Sequence, residues 1–195
     1  VQTCALPIYF EYHKKDWLPQ LQVKSKYPWL FWQWLSEESI LARFFLLEYF
    51  YQEFGYTWEM YANNCQAQPI RIWDTSLYWS ISHSENYVAF IIWTTKVAID
   101  ITEVCPRSIE LLDIHLDNEY HSLWRWKTWE AFFILWTVKE VIIKLANIKL
   151  DNMSDIQLKE MIDDSIIMTY NHFLYNIKIL EHNEIILAYG SSLDI

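Results

Sequence analysis

Glycine is what this chain most lacks. Only 2 of its 195 residues are Gly, beside 12 Trp. Average usage of about 7% would give roughly 14 Gly. Cysteine is also scarce. Cys4, Cys65 and Cys105 form no C-x-x-C pair and no zinc-ligand spacing, so neither a disulfide framework nor a zinc ribbon is indicated. The expectation is reduced thiols in a soluble, cytoplasmic protein. Basic residues are outnumbered, 15 Lys and Arg against 25 Asp and Glu, for a formal charge of -10. A general nucleic-acid binder needs a basic face, so that class is disfavoured. No apolar run reaches membrane-spanning length. No basic segment leads into a short apolar one, so a secretory signal is not expected. Low-complexity segments are absent.

The shortage of Gly and the excess of Trp belong together. Trp73 precedes Asp74-Thr75-Ser76 between two strand-like runs, and Trp93 precedes Thr94-Thr95-Lys96 in a hairpin loop. Turns at such places favour Gly, which adopts positive φ without steric cost. One reading is that UGA codons meaning glycine stand here as Trp; the other is a chain truly rich in Trp. Residues 1–8, Val-Gln-Thr-Cys-Ala-Leu-Pro-Ile, back-translate to the end of a common sequencing adapter. They are expected to be a non-native artefact.

What is present is a hydrophobic content of 53%, enough for a substantial core. Tyr9–Tyr12 reads as a short strand. Ser36 reads as an N-cap with Ser39 at N3, opening a helix that Gly55 stops. That helix carries one base, Arg43. Ile70–Ile72 alternates as a strand. Leu77–Ser84, Tyr87–Ile92 and Val97–Ile101 read as strand, strand and strand, with a polar break at Ser82-His83-Ser84. A helical stretch is expected from Ser108 to Tyr120, and a polar helix, or a loop plus helix, over 151–163. The tail reads as antiparallel strands at Ile166–Tyr170, Phe173–Leu180 and Ile185–Tyr189. Hairpins mixed with helices, without regular βαβ units, indicate an α+β fold.

Two acids stand out against this background. Asp100 sits among β-branched apolar residues in a strand, where Asp is depleted. Glu140 lies in a helix from about Thr128 to Asn147 that is apolar on most sides, and such a helix is buried. Glu140 and Lys144 are spaced i,i+4 and share a face with Trp136. An ordinary surface pair is the simpler reading of that spacing. A buried carboxylate, however, needs a cation or a strong donor to stay ionised.

Ile81-Ser82-His83-Ser84, then Val97-Ala98-Ile99-Asp100-Ile101, then Trp136-Thr137-Val138-Lys139-Glu140-Val141-Ile142-Ile143-Lys144 resembles the signature of the 4′-phosphopantetheinyl transferases. The three parts occur in the family's order. The resemblance covers residues 77–150 and fits the larger, two-halved members. It implies two similar α+β halves, each a small antiparallel sheet packed on a long helix. The halves would span 9–97 and 98–195, the second carrying the transferase motifs. It implies Mg²⁺-dependent transfer of the phosphopantetheine arm of coenzyme A to a serine of an acyl or peptidyl carrier protein. Asp100 and Glu140 would hold the metal. Glu140, or a water beside it, would take the serine proton, and Lys144 would contact a coenzyme A phosphate. Ser82 and His83 would hold the nucleotide's 3′-phosphate, although a solvated strand-end histidine is equally consistent with the residues alone. The chain is expected to act as a monomer.

The chain departs from the family pattern in places. The acid usual two residues after the Asp is replaced by Thr102, with Glu103 next, so the third metal position falls to Thr102, Glu103 or water. Ala98 stands where Gly is usual. Ala67-Gln68 replaces a Gly-Lys before Pro69, leaving phosphate binding to Arg43, His83 and Lys144. Glu119 resembles a further acid near the family's site. Arg107, Arg125 and Lys127 are candidates for a basic patch facing an acidic carrier protein, or scattered surface charge. The rival reading is a non-catalytic homologue that binds carrier protein or nucleotide without transfer. The glycine reading is checked at the codons of Trp73 and Trp93: UGA is expected, and UGG at both refutes it.

Overall fold

A computed structural model describes residues 9–14, 36–57, 69–108, 110 and 128–192. The fold is α+β, and it divides into two compact units between Val97 and Ala98. The expected helix over Ser108–Tyr120 lies largely outside the described residues, as do residues 1–8, Gln68, Glu119, Arg125 and Lys127.

The first unit is built on helix α1, Glu37–Phe54. Its start is set by local chemistry: the Ser36 hydroxyl accepts from the Ser39 N–H, which otherwise has no helical partner. Its end is set by Gly55, left-handed at φ 63°, whose N–H donates to the carbonyls of Phe50 and Tyr51. Strands β1 (Tyr9–Lys14), β2 (Ile70–Ile72), β3 (Thr75–His83) and β4 (Tyr87–Trp93) form a sheet ordered β1-β4-β3-β2, all its pairs antiparallel. Strand β4 is a continuous apolar run, buried from Val88 to Ile92. Ile40, Leu47 and Phe50 of α1 share one core with Ile70, Leu77 and Phe90 of the sheet.

The second unit is built on helix α2, Trp129–Ala146. Thr128 caps its first turn, accepting from the Ala131 N–H, and Asn147 ends it in the left-handed region at φ 53°. The sheet is ordered β5-β9-β8-β7-β6, from β5 (Val97–Glu103), β6 (Gln157–Ile162), β7 (Ser165–Tyr170), β8 (Phe173–His182) and β9 (Ile185–Ser192). Ile134, Val138, Val141 and Ile142 of α2 pack with Ile166, Met168, Ile177 and Ala188 of the sheet. The hairpin turns use residues that tolerate positive φ: Asn171-His172 between β7 and β8, and Asn183 between β8 and β9.

Residues 151–163 correct the sequence reading. They form a 3₁₀ turn, Leu150–Asp155, and then β6, not a polar helix. This edge strand is exposed at four of its six positions, and its pairing shifts register between Leu158 and Glu160. Its two half-buried residues, Leu158 and Met161, pack on the core but stand three apart across that shift, so the strand carries no period-two signal.

The two glycines both stand where a side chain is excluded or strained. Gly55 is the left-handed cap described above. At Gly190 a Cβ would meet Ile177 Cδ1 at 2.5 Å and the Asn176 carbonyl at 3.0 Å across the β8–β9 pair. Trp73 has the same backbone demand without the glycine. It opens the two-residue turn joining Ile72 to Thr75, at φ 53°, and is 77% exposed, with only its ring edge against Phe54. Trp93, by contrast, is the last residue of β4 and is not among the described residues with positive φ. The turn chemistry expected of it belongs to Thr94-Thr95.

A left-handed residue with a Cβ carries a steric cost of about 1–2 kcal/mol. Trp73→Gly is therefore expected to exceed Trp73→Ala in stability by about 1 kcal/mol. Both variants lose the ring contact, so denaturant unfolding of the pair isolates the backbone effect. Equal stabilities would show that the turn does not require glycine.

Candidate functional site

The site grows from one strand residue and one helix stripe, both in the second unit. Asp100 lies in β5 between the fully buried Ile99 and Ile101 and is itself only 7% exposed. A carboxylate at that depth needs a partner. Lys144, in the last turn of α2, supplies it. Its Nζ donates to Asp100 Oδ1 at 2.8 Å and to the Ile99 carbonyl at 2.8 Å. One ammonium thus holds both a side chain and the adjacent backbone of β5, and it fixes the Asp100 carboxylate in place.

Helix α2 is buried on nearly its whole circumference. From Ala131 to Leu145, only Phe132, Phe133, Trp136, Glu140 and Lys144 escape full burial. Phe132, Trp136, Glu140 and Lys144 follow one another at i+4, so they form a single stripe along the helix. The rings of Phe132 and Trp136 stack along it at 6.1 Å and 27°. Lys139 lies off this stripe and is buried. The sequence reading gave it no role beyond its place in the motif. The signal that could have marked it was a charge at an otherwise apolar position.

Glu140 is half-buried one turn before Lys144. Burial pushes its carboxyl above the usual carboxylate range, and the Asp100 charge pushes it further up; the Lys144 ammonium pulls it partly back. Its carboxylate accepts no hydrogen bond among the described residues. The i,i+4 spacing suggested a Glu140–Lys144 surface pair. The structure instead gives Lys144 to Asp100, 44 residues away in sequence. The result is two neighbouring carboxylates that share one cation.

This donor set suits a hard divalent cation. Mg²⁺ commonly takes one or two carboxylates and keeps its remaining positions for waters and substrate phosphates. Asp100 and Glu140 are the residues that could hold it. Among the described residues, no third acid, His or Cys joins them in a metal-binding group. Thr102 and Glu103 follow Asp100 on β5, both half-buried.

The other candidate residues belong to the first unit. Ser82 is buried and His83 exposed at the end of β3, opposite Ala89 and Val88 of β4. The polar break is closed by the Ser84 N–H donating to the Tyr87 carbonyl at 2.8 Å. Arg43 is held on its own helix, donating to the Ser39 carbonyl at 3.0 Å and to the Ser39 hydroxyl. Arg107, in the second unit, is exposed, and its carbonyl accepts from Trp129 Nε1 at 2.8 Å. No helix among the described residues is long and apolar enough to cross a membrane.

No protein-family model matches the chain, and no curated protein matches it.

The raised Glu140 carboxyl carries a definite sign. A carboxyl whose folded pKa exceeds its unfolded one binds its proton more tightly in the folded state. Its stabilising contribution is complete below the unfolded value and is lost as pH rises through the folded one. Glu140→Gln, which removes the ionisable group, is therefore expected to raise the melting temperature of the metal-free protein at neutral pH. The gain should shrink as pH falls from the raised folded value toward the usual Glu value, and be gone below it. A gain independent of pH between about 4 and 8 would contradict this assignment.

Proposed function

We propose that the protein transfers the 4′-phosphopantetheine arm of coenzyme A to a serine of an acyl or peptidyl carrier protein, with Mg²⁺ as cofactor. The observation that carries this reading is the meeting of Asp100, Glu140 and Lys144. They come from two separate parts of the motif, and β5 and α2 bring them together. The finer architecture belongs to the same proposal: two similar halves, each a small antiparallel sheet on a long helix. One 18-residue helix and one sheet in each unit support it.

In this reading the carrier serine oxygen attacks the coenzyme A phosphorus that bears the pantetheine arm. The new serine O–P bond forms as the bond to the nucleotide's phosphate oxygen breaks, and the nucleotide leaves. Charge develops on phosphoryl oxygens in such a transfer, so catalysis rests on positioning and electrostatic stabilisation. A magnesium ion held by Asp100 and Glu140 would neutralise part of that charge. Glu140 is assigned the role of proton acceptor, directly or through a water. Lys144 offers an ammonium to a phosphate oxygen. Ser82, His83 and Arg43 are assigned to the nucleotide end, and an acidic carrier protein would find cations at Arg107, Arg125 and Lys127.

The test is a mass shift. With coenzyme A, Mg²⁺ and an apo carrier protein, the carrier is expected to gain one phosphopantetheine. Asp100→Ala and Glu140→Ala should each reduce the rate at least about a hundredfold, a loss typical of removing an electrostatic or acid–base group. A variant with near-wild-type activity would remove that residue from the site. Coenzyme A binding that ignores Mg²⁺, with no transfer to any carrier protein, would favour a non-catalytic binder.

A further inference from the structure

We infer that Lys144 is the resident counter-ion of Asp100, and that a divalent cation enters this site by exchanging with it. The inference rests on the proposed metal site and goes beyond it by giving Lys144 two successive positions. In the structure its ammonium is bonded to Asp100 Oδ1 and to the Ile99 carbonyl, the position from which it neutralises Asp100. An ammonium and a divalent cation compete for the same carboxylate oxygen and repel each other at that range.

Three features favour exchange over coexistence. Asp100 is almost fully buried, where losing the Lys144 ammonium is costly unless another cation takes its place. The Lys144 side chain is 31% exposed against 10% for Asp100, so the lysine has an open side toward which to move and the aspartate does not. Lys144 also sits in the last turn of α2, three residues before the left-handed Asn147, on a flexible four-carbon stem. Its ammonium can leave β5 without disturbing the helix, whose hold on the sheet is apolar. Once released, it is free to meet a phosphate oxygen. Metal entry would thus prepare the phosphate-binding group, and metal should bind before coenzyme A. No covalent step is involved.

The exchange can be followed in the full chain without coenzyme A or carrier protein. In the wild-type protein, saturating Mg²⁺ is expected to speed acylation of Lys144 by an amine-reactive reagent several-fold, read by peptide mass spectrometry. In Lys144→Met, calorimetry should show Mg²⁺ binding about tenfold tighter, because a competing and repelling charge is gone. The metal-free variant should melt lower by roughly 5–10 °C, having lost the cation of a buried pair, and Mg²⁺ should restore much of that loss. If Lys144→Met fails to fold, the labelling experiment decides alone. Mg²⁺ binding with unchanged or slower labelling of Lys144, or equal or weaker binding to the variant, overturns the exchange and leaves the transferase reading intact. Absence of Mg²⁺ binding to the wild-type protein and to the variant overturns the exchange and the metal assignment together.

Discussion

A carboxylate buried in a β-strand obliges the rest of its unit to bring it a cation. Asp100 imposes that demand, and the two bonds from Lys144 meet it. The apolar contacts of helix α2 supply its burial. The Lys144 ammonium pins its last turn to β5. With Lys144 turned toward β5, the i+4 repeat places Glu140, Trp136 and Phe132 in a line above it. That ion pair joins residues 44 apart in sequence, and the stripe it ends holds most of the residues between Ala131 and Leu145 that escape full burial.

The same pair leaves an electrostatic remainder. Two carboxylates and one ammonium carry one uncompensated negative charge when all are ionised. That remainder falls on Glu140, which is half-buried and feels both burial and Asp100. Structural ion pairs normally close their own account, because unpaired buried charge is costly. In the proposed reading, a cation held by Asp100 and Glu140 would offset that charge. This separates Asp100–Glu140–Lys144 from the exposed Lys178–Asp164 contact at 3.4 Å. That contact joins one donor to one acceptor at the surface, where such pairs contribute little.

Much of this fold was legible because its boundaries are written locally. Ser36, Gly55, Thr128 and Asn147 each set a helix end by a bond or a φ angle involving neighbours within a few residues. Strands β7, β8 and β9 carry alternating apolar residues between turn-forming Asn residues and were read nearly to their ends. Strand β6 was not legible, because the register shift sets its two core-packed residues, Leu158 and Met161, three apart and breaks the alternation. At the site, Asp100 was marked by its misfit with a strand, and Glu140 with Lys144 by charge in an apolar helix. The choice of Lys144 for Asp100 was hidden. The local pattern offers Glu140 as the nearer partner, and only the packing of β5 and α2 in three dimensions decides between them.

The scarcity of glycine can be judged in the same way, position by position. A tryptophan that belongs to a fold has a relaxed backbone and a use for its ring. Trp136 is helical and stacks on Phe132 along the site stripe. Trp129 is helical, packs against Phe132 and Phe133, and donates Nε1 to the Arg107 carbonyl. Glycine at either position would give up those contacts, and at mid-helix position 136 it would also cost backbone entropy. The geometry of Trp136 and of Trp129 therefore argues for tryptophan at both positions. Trp73 is the opposite case, since its backbone lies where L side chains are strained and its ring is mostly in water. A wholesale exchange of Trp for Gly would dismantle the stripe that carries Glu140 and Lys144, whereas an exchange at Trp73 alone relieves a turn far in sequence from them. Among the tryptophans of the described residues, the backbone demand for glycine is therefore confined to Trp73, in the hairpin between β2 and β3.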